Sequence, residues 1–322
     1  MSGDANRLMT PARYVATSAR SATALLALLT LISAACGGST SETSATTAAE
    51  TPVVSESASD DSSPAPSTAL EPVETDVDYG AEPADGYSSE PLLDVWAAAT
   101  ADGPPVLILL DGLPPTRQST AGMASALADR GFVVLNADWQ IDTSLTTGVH
   151  YHGACLVRFA RANALSYGGD PTQVVMVGYS AGGSIAALLA LNGDAINGQC
   201  DQDESLSSVP DAIVGLAGGY EYMALDSPEP GFGEEVFAAD PELWEMMNPY
   251  EHLDEAAGLR ALLIHGEDDM VVTAGSSERF AAALEERDAE VTVHILEGAG
   301  HALLGARLDE VVDKMVAWLS TA

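Results

Sequence analysis

Residues 174–191 constrain the fold more than any other stretch of the chain. Val174-Val175-Met176-Val177 runs into Gly178, Ser180 follows two residues later, and Gly182-Gly183 leads into Ser184-Ile185-Ala186-Ala187-Leu188-Leu189-Ala190-Leu191 with helical spacing. That order reads as strand, sharp turn, helix. Within it, Gly178-Tyr179-Ser180-Ala181-Gly182 fits G-x-S-x-G, the elbow in which a serine is held in a strained turn at the carboxyl end of a strand. A Cβ at 178 or 182 would strike the neighbouring strand or helix at so tight a bend. The Ser180 hydroxyl would then stand exposed above the sheet, over the positive end of a helix dipole. A glycine-rich strand-to-helix turn can equally bind phosphate or simply turn the chain. Catalysis therefore needs a base and an acid from elsewhere in the sequence.

The amino-terminal quarter has a different character. Arg7, Arg13 and Arg20 precede the apolar run Ala22–Ile32, and Ser33-Ala34-Ala35-Cys36-Gly37-Gly38 follows. A basic region, a short apolar region and small residues make a secretory signal over residues 1–35, too short in its apolar part to span a membrane comfortably. The chain is expected to be exported. Cys36 lies where the site resembles a bacterial lipoprotein lipobox, with Ser33 where an aliphatic residue usually stands, and a lipid on Cys36 is the only membrane attachment expected. Residues 36–85 are Ser, Thr, Ala, Glu and Pro with almost no large apolar side chains, a composition that cannot offset the entropy of ordering. Read as a linker, this coil would reach roughly 40 Å. The remaining 86–322 would form one globular domain.

The 322-residue chain carries 48 acidic against 12 basic residues, a net charge of −36, and Lys314 is its only lysine. Removal of residues 1–35 takes away three arginines and Asp4 and brings the net charge to −38. Such a field repels nucleic acid and anionic membranes, and argues against direct binding to either.

From residue 92 onward, apolar strands alternate with helical stretches. Leu92–Trp96 and Pro104–Leu110 read as a hairpin-like pair. Phe132–Asn136 follows a helix at 118–130, and Val174–Val177 follows one at 153–167. Ala212–Leu216, Ala261–Ile264 and Val291–Ile295 continue the series. Continuous apolar strands separated by helices indicate an α/β domain with a mainly parallel sheet covered on both faces.

Four segments carry a specific resemblance: Tyr167-Gly168-Gly169-Asp170-Pro171, the Gly-x-Ser-Ala-Gly-Gly elbow, Leu263-Ile264-His265-Gly266-Glu267-Asp268-Asp269-Met270-Val271-Val272, and Gly298-Ala299-Gly300-His301. With them, residues from about 88 to 320 resemble an α/β-hydrolase of the bacterial esterase and lipase branch, including its carboxylesterase and feruloyl-esterase-like relatives. The resemblance implies an acid just past a strand in a His-Gly-x-x-Asp-x-x-Val pattern, which selects Asp269, with the adjacent Asp268 as the alternative. It implies a base in Gly-x-Gly-His, which is His301. The order Ser180, Asp269, His301 is the order expected of this fold. His301 would take the Ser180 proton while the carboxylate fixes its tautomer.

The oxyanion loop departs from the family's pattern. Relatives often read His-Gly-Gly-Gly after the third strand, and this chain reads Asp111-Gly112-Leu113-Pro114-Pro115. Pro114 has no amide hydrogen. The expectation is a two-donor hole made by the backbone amides of Leu113 and Ala181, with Asp111 in a structural role. His265 reads as part of the turn before the acid, His252 and His294 as structural or solvated. His150 and His152 flank Tyr151 without a third ligand at recognisable spacing, so no metal and no cofactor are expected. The segment 220–249 sits where such enzymes place lids, and its Phe, Trp and Met residues either line a pocket or anchor the segment to the core. Cys155 and Cys200 are the remaining cysteines, and export permits a disulfide between them, the alternative being two buried thiols.

The leading expectation is a serine carboxylic-ester hydrolase acting through an acyl-enzyme on small or medium esters. A serine peptidase or amidase related to prolyl oligopeptidases is a second reading, without the extra propeller domain. A surface lipoprotein that uses a hydrolase scaffold for binding is the third.

Overall fold

Strands that are apolar at every position can be satisfied only where helices cover both sheet faces, and the chain folds accordingly. The computed structural model describes residues 70–97, 103–140, 148–196, 200–220 and 245–321. Its strands are β1 (Glu74–Asp78), β2 (Leu92–Ala97), β3 (Pro105–Leu110), β4 (Val133–Ala137), β5 (Asp170–Tyr179), β6 (Ala212–Leu216), β7 (Arg260–Gly266) and β8 (Glu290–Leu296). They form one sheet in the order β1-β2-β4-β3-β5-β6-β7-β8, parallel from β4 to β8, with β1 and β2 antiparallel at one end. The described helices are α1 (Arg117–Asp129), α2 (Gly148–Asn163), α3 (Ala181–Asn192), α4 (Ala274–Glu285) and α5 (Leu308–Leu319).

Side chains alternate between the two cores with the period of the strand. Val106, Ile108 and Leu110 of β3 pack with α2, α3 and α4 on one face, and Leu107 and Leu109 pack with α1 and α5 on the other. No helix among the described residues is long and apolar enough to cross a membrane.

Two expectations are corrected. The segments 92–96 and 104–110 are not a pair, because β4 lies between them and β2 runs antiparallel to β4. β3, buried on both faces from Val106 to Leu110, takes a central place, whereas β2 is only half-buried at Leu92, Asp94 and Ala97 and lies nearer the edge. The ordered domain also begins before residue 86. β1 lies inside the stretch assigned to the linker, and Tyr79 behind it is fully buried, with its hydroxyl donating to the Asp138 carbonyl at 3.0 Å. An edge strand needs few inward side chains. Here Val77, Tyr79 and Ala81 serve, and the exposed residues between them give the segment its linker-like composition. Residues 1–69, with the secretory signal, Cys36 and most of the linker, lie outside the described residues.

β1 is clamped by charge as well as by its ladder. The buried Arg117 guanidinium meets Asp76 of β1, Asp94 of β2 at 3.0 Å and Asp138 beyond β4, and the Arg117 amide donates to Asp138 at 2.8 Å. Removing one partner of a buried pair leaves an uncompensated charge, so this cluster ties the amino-terminal strand to the start of α1. On the opposite face Cys155 of α2 is joined to Cys200, with an S–S distance of 1.99 Å across 45 residues. Closing a loop of that length contributes about 4 kcal/mol on the chain-entropy estimate.

Candidate active site

The elbow forms because only glycine fits around it. A Cβ on Gly178 would fall 2.0 Å from the Gly182 carbonyl oxygen, and one on Gly182 would fall 2.5 Å from the Leu110 carbonyl oxygen. The chain therefore leaves β5, turns at Ser180 and enters α3 with no room for a side chain at either point. Ser180 has φ 53° and ψ −118°, a region that L-residues rarely adopt, and its amide donates to the Leu216 carbonyl at 2.8 Å. Strain of this kind persists where the surroundings over-determine the conformation. The side chain is less open than the sequence suggests. Ser180 is only 9% exposed, partly because Gly112 backs onto it so closely that a Cβ there would lie 2.7 Å from the Ser180 Cβ.

Two loops at the carboxyl ends of β7 and β8 reach the serine together. Their backbones are tied by Glu267 N–H to Leu296 O at 3.0 Å and Asp268 N–H to Ala299 O at 2.8 Å, and Gly298 turns at φ 64°. His301 Nε2 then lies 3.0 Å from Ser180 Oγ, and His301 Nδ1 lies 2.7 Å from Asp269 Oδ2. The Asp269 carboxylate accepts two backbone N–H groups at Oδ1, from Val271 at 2.8 Å and Val272 at 2.9 Å. Burial alone would raise its pKa. Hydrogen bonds from His265 and His301, the charge of a protonated His301 and the Val272 amide outweigh burial and hold the carboxyl well below its ordinary range. It stays an anion wherever His301 needs one.

Tyr179, the residue before the serine, holds the histidine from below. Its hydroxyl donates to the His301 carbonyl at 2.9 Å and its ring lies 5.4 Å from the imidazole. Across the site, Asp111 organises the loop after β3. It is buried, its carboxylate accepts from the Gly112 amide at 2.7 Å and from the Ser119 hydroxyl, and its carbonyl accepts from Trp139 Nε1 at 3.0 Å. Burial pushes the Asp111 carboxyl up from its ordinary value, against hydrogen bonds from Ser119, Gly112 and Thr116. With the Gly112 amide engaged, Leu113 is the next donor along the loop. Ala181 opens α3, where amides have no intrahelical acceptor.

Comparison with known proteins supplies the family. The BD-FAE family model matches residues 94–284, more than half of the chain. The chain belongs to the BD-FAE family. Esterase LipC of Mycobacterium tuberculosis is 29% identical over 264 residues, covering 75% of this chain and 63% of that protein. A probable isoprenylcysteine alpha-carbonyl methylesterase, ICMEL1 of Oryza sativa subsp. japonica, is 30% identical over 190 residues, covering 54% of this chain and 44% of that protein. The chain thus spans about half to two-thirds of the length of these curated relatives. Among solved structures, the Thermogutta terrifontis esterase Est2 with propionate bound aligns with a TM-score of 0.63 at 20% identity, over 77% of this chain and 92% of that one. An acetyl ester-xyloside bifunctional hydrolase from Caldicellulosiruptor lactoaceticus aligns with a TM-score of 0.60 at 20% identity, over 73% and 89%. The fold is that of the α/β-hydrolases.

In this BD-FAE chain, Ser180, Asp269 and His301 come together. Asp268 does not join them, since its side chain is exposed and its amide donates to the Ala299 carbonyl. His152 ties the Gln140 amide, at 3.1 Å, to the Glu82 carbonyl, at 3.0 Å. His252 Nε2 lies 3.1 Å from both Asn192 Nδ2 and the Met246 carbonyl. Of the 220–249 segment, residues 221–244 lie outside the described residues, and Met247 beyond them is buried in the core as an anchor. From the sequence alone Tyr179 has no role and His265 is only part of a turn. A tyrosine in the variable position of G-x-S-x-G carries no signal by itself.

Proposed function

We propose that the protein is a serine carboxylic-ester hydrolase acting through an acyl-enzyme on small or medium esters. The observation that carries this reading is the unbroken contact from Ser180 Oγ through His301 to Asp269 on a strained elbow. His301 donates Nδ1–H to Asp269, so the lone pair of Nε2 faces Ser180 and accepts its proton as Oγ attacks the ester carbonyl. The developing oxyanion is met by the Leu113 and Ala181 amides. Collapse expels the alcohol, which takes the proton back from His301. Water, deprotonated in turn by His301, attacks the acyl-enzyme and releases the carboxylic acid with Ser180 restored.

An assay of the full chain on p-nitrophenyl butyrate alongside a peptide p-nitroanilide tests the reaction class. Turnover of the ester with little cleavage of the anilide is the expected result. Cleavage of the anilide alone would favour the peptidase reading, and turnover of neither would favour a binding protein.

The same proposal puts the enzyme outside the cytoplasm, tethered through a diacylglycerol on Cys36. It is supported by the basic and apolar pattern before Ala34-Ala35-Cys36 and by the Cys155–Cys200 disulfide, which suits an oxidising compartment. Mass spectrometry of the mature amino terminus should find lipid on Cys36, and an unmodified terminus at another residue would refute the anchor.

A further inference from the structure

Two imidazoles, not one, share the Asp269 carboxylate. Oδ2 lies 2.7 Å from His301 Nδ1 and 3.2 Å from His265 Nε2, and the side chains of His265 and Asp269 are fully buried. The tautomer of His265 follows from its neighbours. Nε2 also lies 2.9 Å from the Val272 carbonyl oxygen, so it faces two acceptors and must carry the hydrogen. Nδ1 lies 2.7 Å from Ser277 Oγ, and the buried Ser277 hydroxyl donates to it. The loop after β7 and α4 therefore hold the ring from opposite edges, with its N–H aimed at the acid.

We propose that His265 is a positioning residue of the Ser180–His301–Asp269 triad: its Nε2–H, set by Ser277, takes up part of the charge on Asp269 Oδ2 and limits how tightly that oxygen grips the Nδ1–H of His301. The inference rests on the hydrolase reading above. A carboxylate whose lone pairs are shared among several donors is a weaker base than one serving a single imidazole. Two amides engage Oδ1, so Oδ2 is the oxygen left to tune. The titratable groups around it among the described residues are His265 from β7 and His301 from the loop after β8. Glu267 and Asp268 are exposed, Tyr179 lies with its ring 5.4 Å from that of His301, and Tyr220 is buried, with its amide on Ser276 Oγ at 3.1 Å and its phenol, pushed up by burial, beside the Ser277 hydroxyl. A leucine keeps an apolar side chain of similar bulk at 265 but carries no N–H. It would leave Oδ2 to His301 alone, and the protonated imidazole would be held too firmly at low pH.

The test is the pH profile of kcat/KM on p-nitrophenyl butyrate from about pH 5 to about pH 9, with the rate of Ser180 phosphonylation by a fluorophosphonate measured alongside. His265→Leu should move the acidic limb up by about one pH unit, a loss of about tenfold near the foot of the profile and little on its alkaline plateau. His265→Gln, which returns an N–H to the Nε2 position, should restore the wild-type limb. Ser277→Ala, a small change in α4, should move the limb the same way by less. The proposal fails if the Leu and Ala profiles overlay the wild type, or if Leu and Gln lose the same factor at every pH, as a purely packing role requires. If His265→Leu does not fold, Ser277→Ala decides. Failure of the hydrolase reading looks different, because then the wild type itself would be inactive or Ser180→Ala would keep its rate.

Discussion

Ser180→Ala is expected to lower kcat on a short-chain ester by about 10⁶-fold while melting close to the wild type. In the proposed mechanism Ser180 Oγ carries the acyl group, and the substitution leaves the elbow's backbone and Cβ in place. The residual rate would come from the amides of Leu113 and Ala181 and from substrate binding. The conformation of the elbow supplies a second, independent reading. At φ 53° and ψ −118° a side chain costs about 1–3 kcal/mol. Glycine relieves that strain, although it raises the entropy of the unfolded chain by the equivalent of about 0.4–1 kcal/mol. Ser180→Gly should therefore be as inactive as Ser180→Ala yet melt higher than it by roughly 2–4 °C. Calorimetry of the three proteins checks this. A glycine variant that melts at or below the alanine variant would mean that the elbow stores no strain, and an alanine variant with wild-type turnover would remove Ser180 from the reaction.

The elbow was legible because its constraints are local. Gly178, Ser180 and Gly182 lie within five residues, and the clash that forbids a Cβ involves only the strand, the helix and the neighbouring β3. Asp269 and His301 were legible for a similar reason, each standing in a short loop whose glycines let the chain turn back over the sheet. Where contacts join distant segments the sequence was silent. β2 and β3 are separated by only a short connection, and nothing local says that β4 will come between them. The choice follows from β3 being buried on both faces. The β1 strand reads as linker because its partners, Arg117 and Asp138, are 40 or more residues away, and a half-exposed edge needs little apolar sequence. Tyr179 and His265 acquire their contacts with His301 and Asp269 only when three loop ends converge. Asp111 is an intermediate case. Its structural role was inferred from what stands in the family's usual place, and the bonds to Gly112, Ser119 and Trp139 supply the mechanism.

Asp269→Asn is expected to cut kcat by about 10⁴-fold with KM nearly unchanged, since no group that would meet the substrate is altered. The direction follows from how the side chain is held. Oδ1 accepts from the Val271 and Val272 amides, so an asparagine must keep its carbonyl oxygen there and place its NH₂ where Oδ2 was. That NH₂ is a donor, and it faces His301 Nδ1 at the position from which Oδ2 lies at 2.7 Å. His301 must then accept at Nδ1 and carry its hydrogen on Nε2, which points it at Ser180 Oγ across 3.0 Å. The serine would meet a donor in place of a base, and its proton would have nowhere to go. His265 keeps its Nε2–H but loses Oδ2 as an acceptor, and is left with the Val272 carbonyl alone. The rate of Ser180 phosphonylation should fall by a similar factor, which separates lost activation of the serine from any later step. Asp268→Asn is the matching control. Its side chain is exposed and its backbone N–H, not its carboxylate, holds the loop, so kcat should stay within about twofold of the wild type. A 269 variant within tenfold of the wild type, or a 268 variant that loses as much as the 269 variant, would show that the acid had been assigned to the wrong residue.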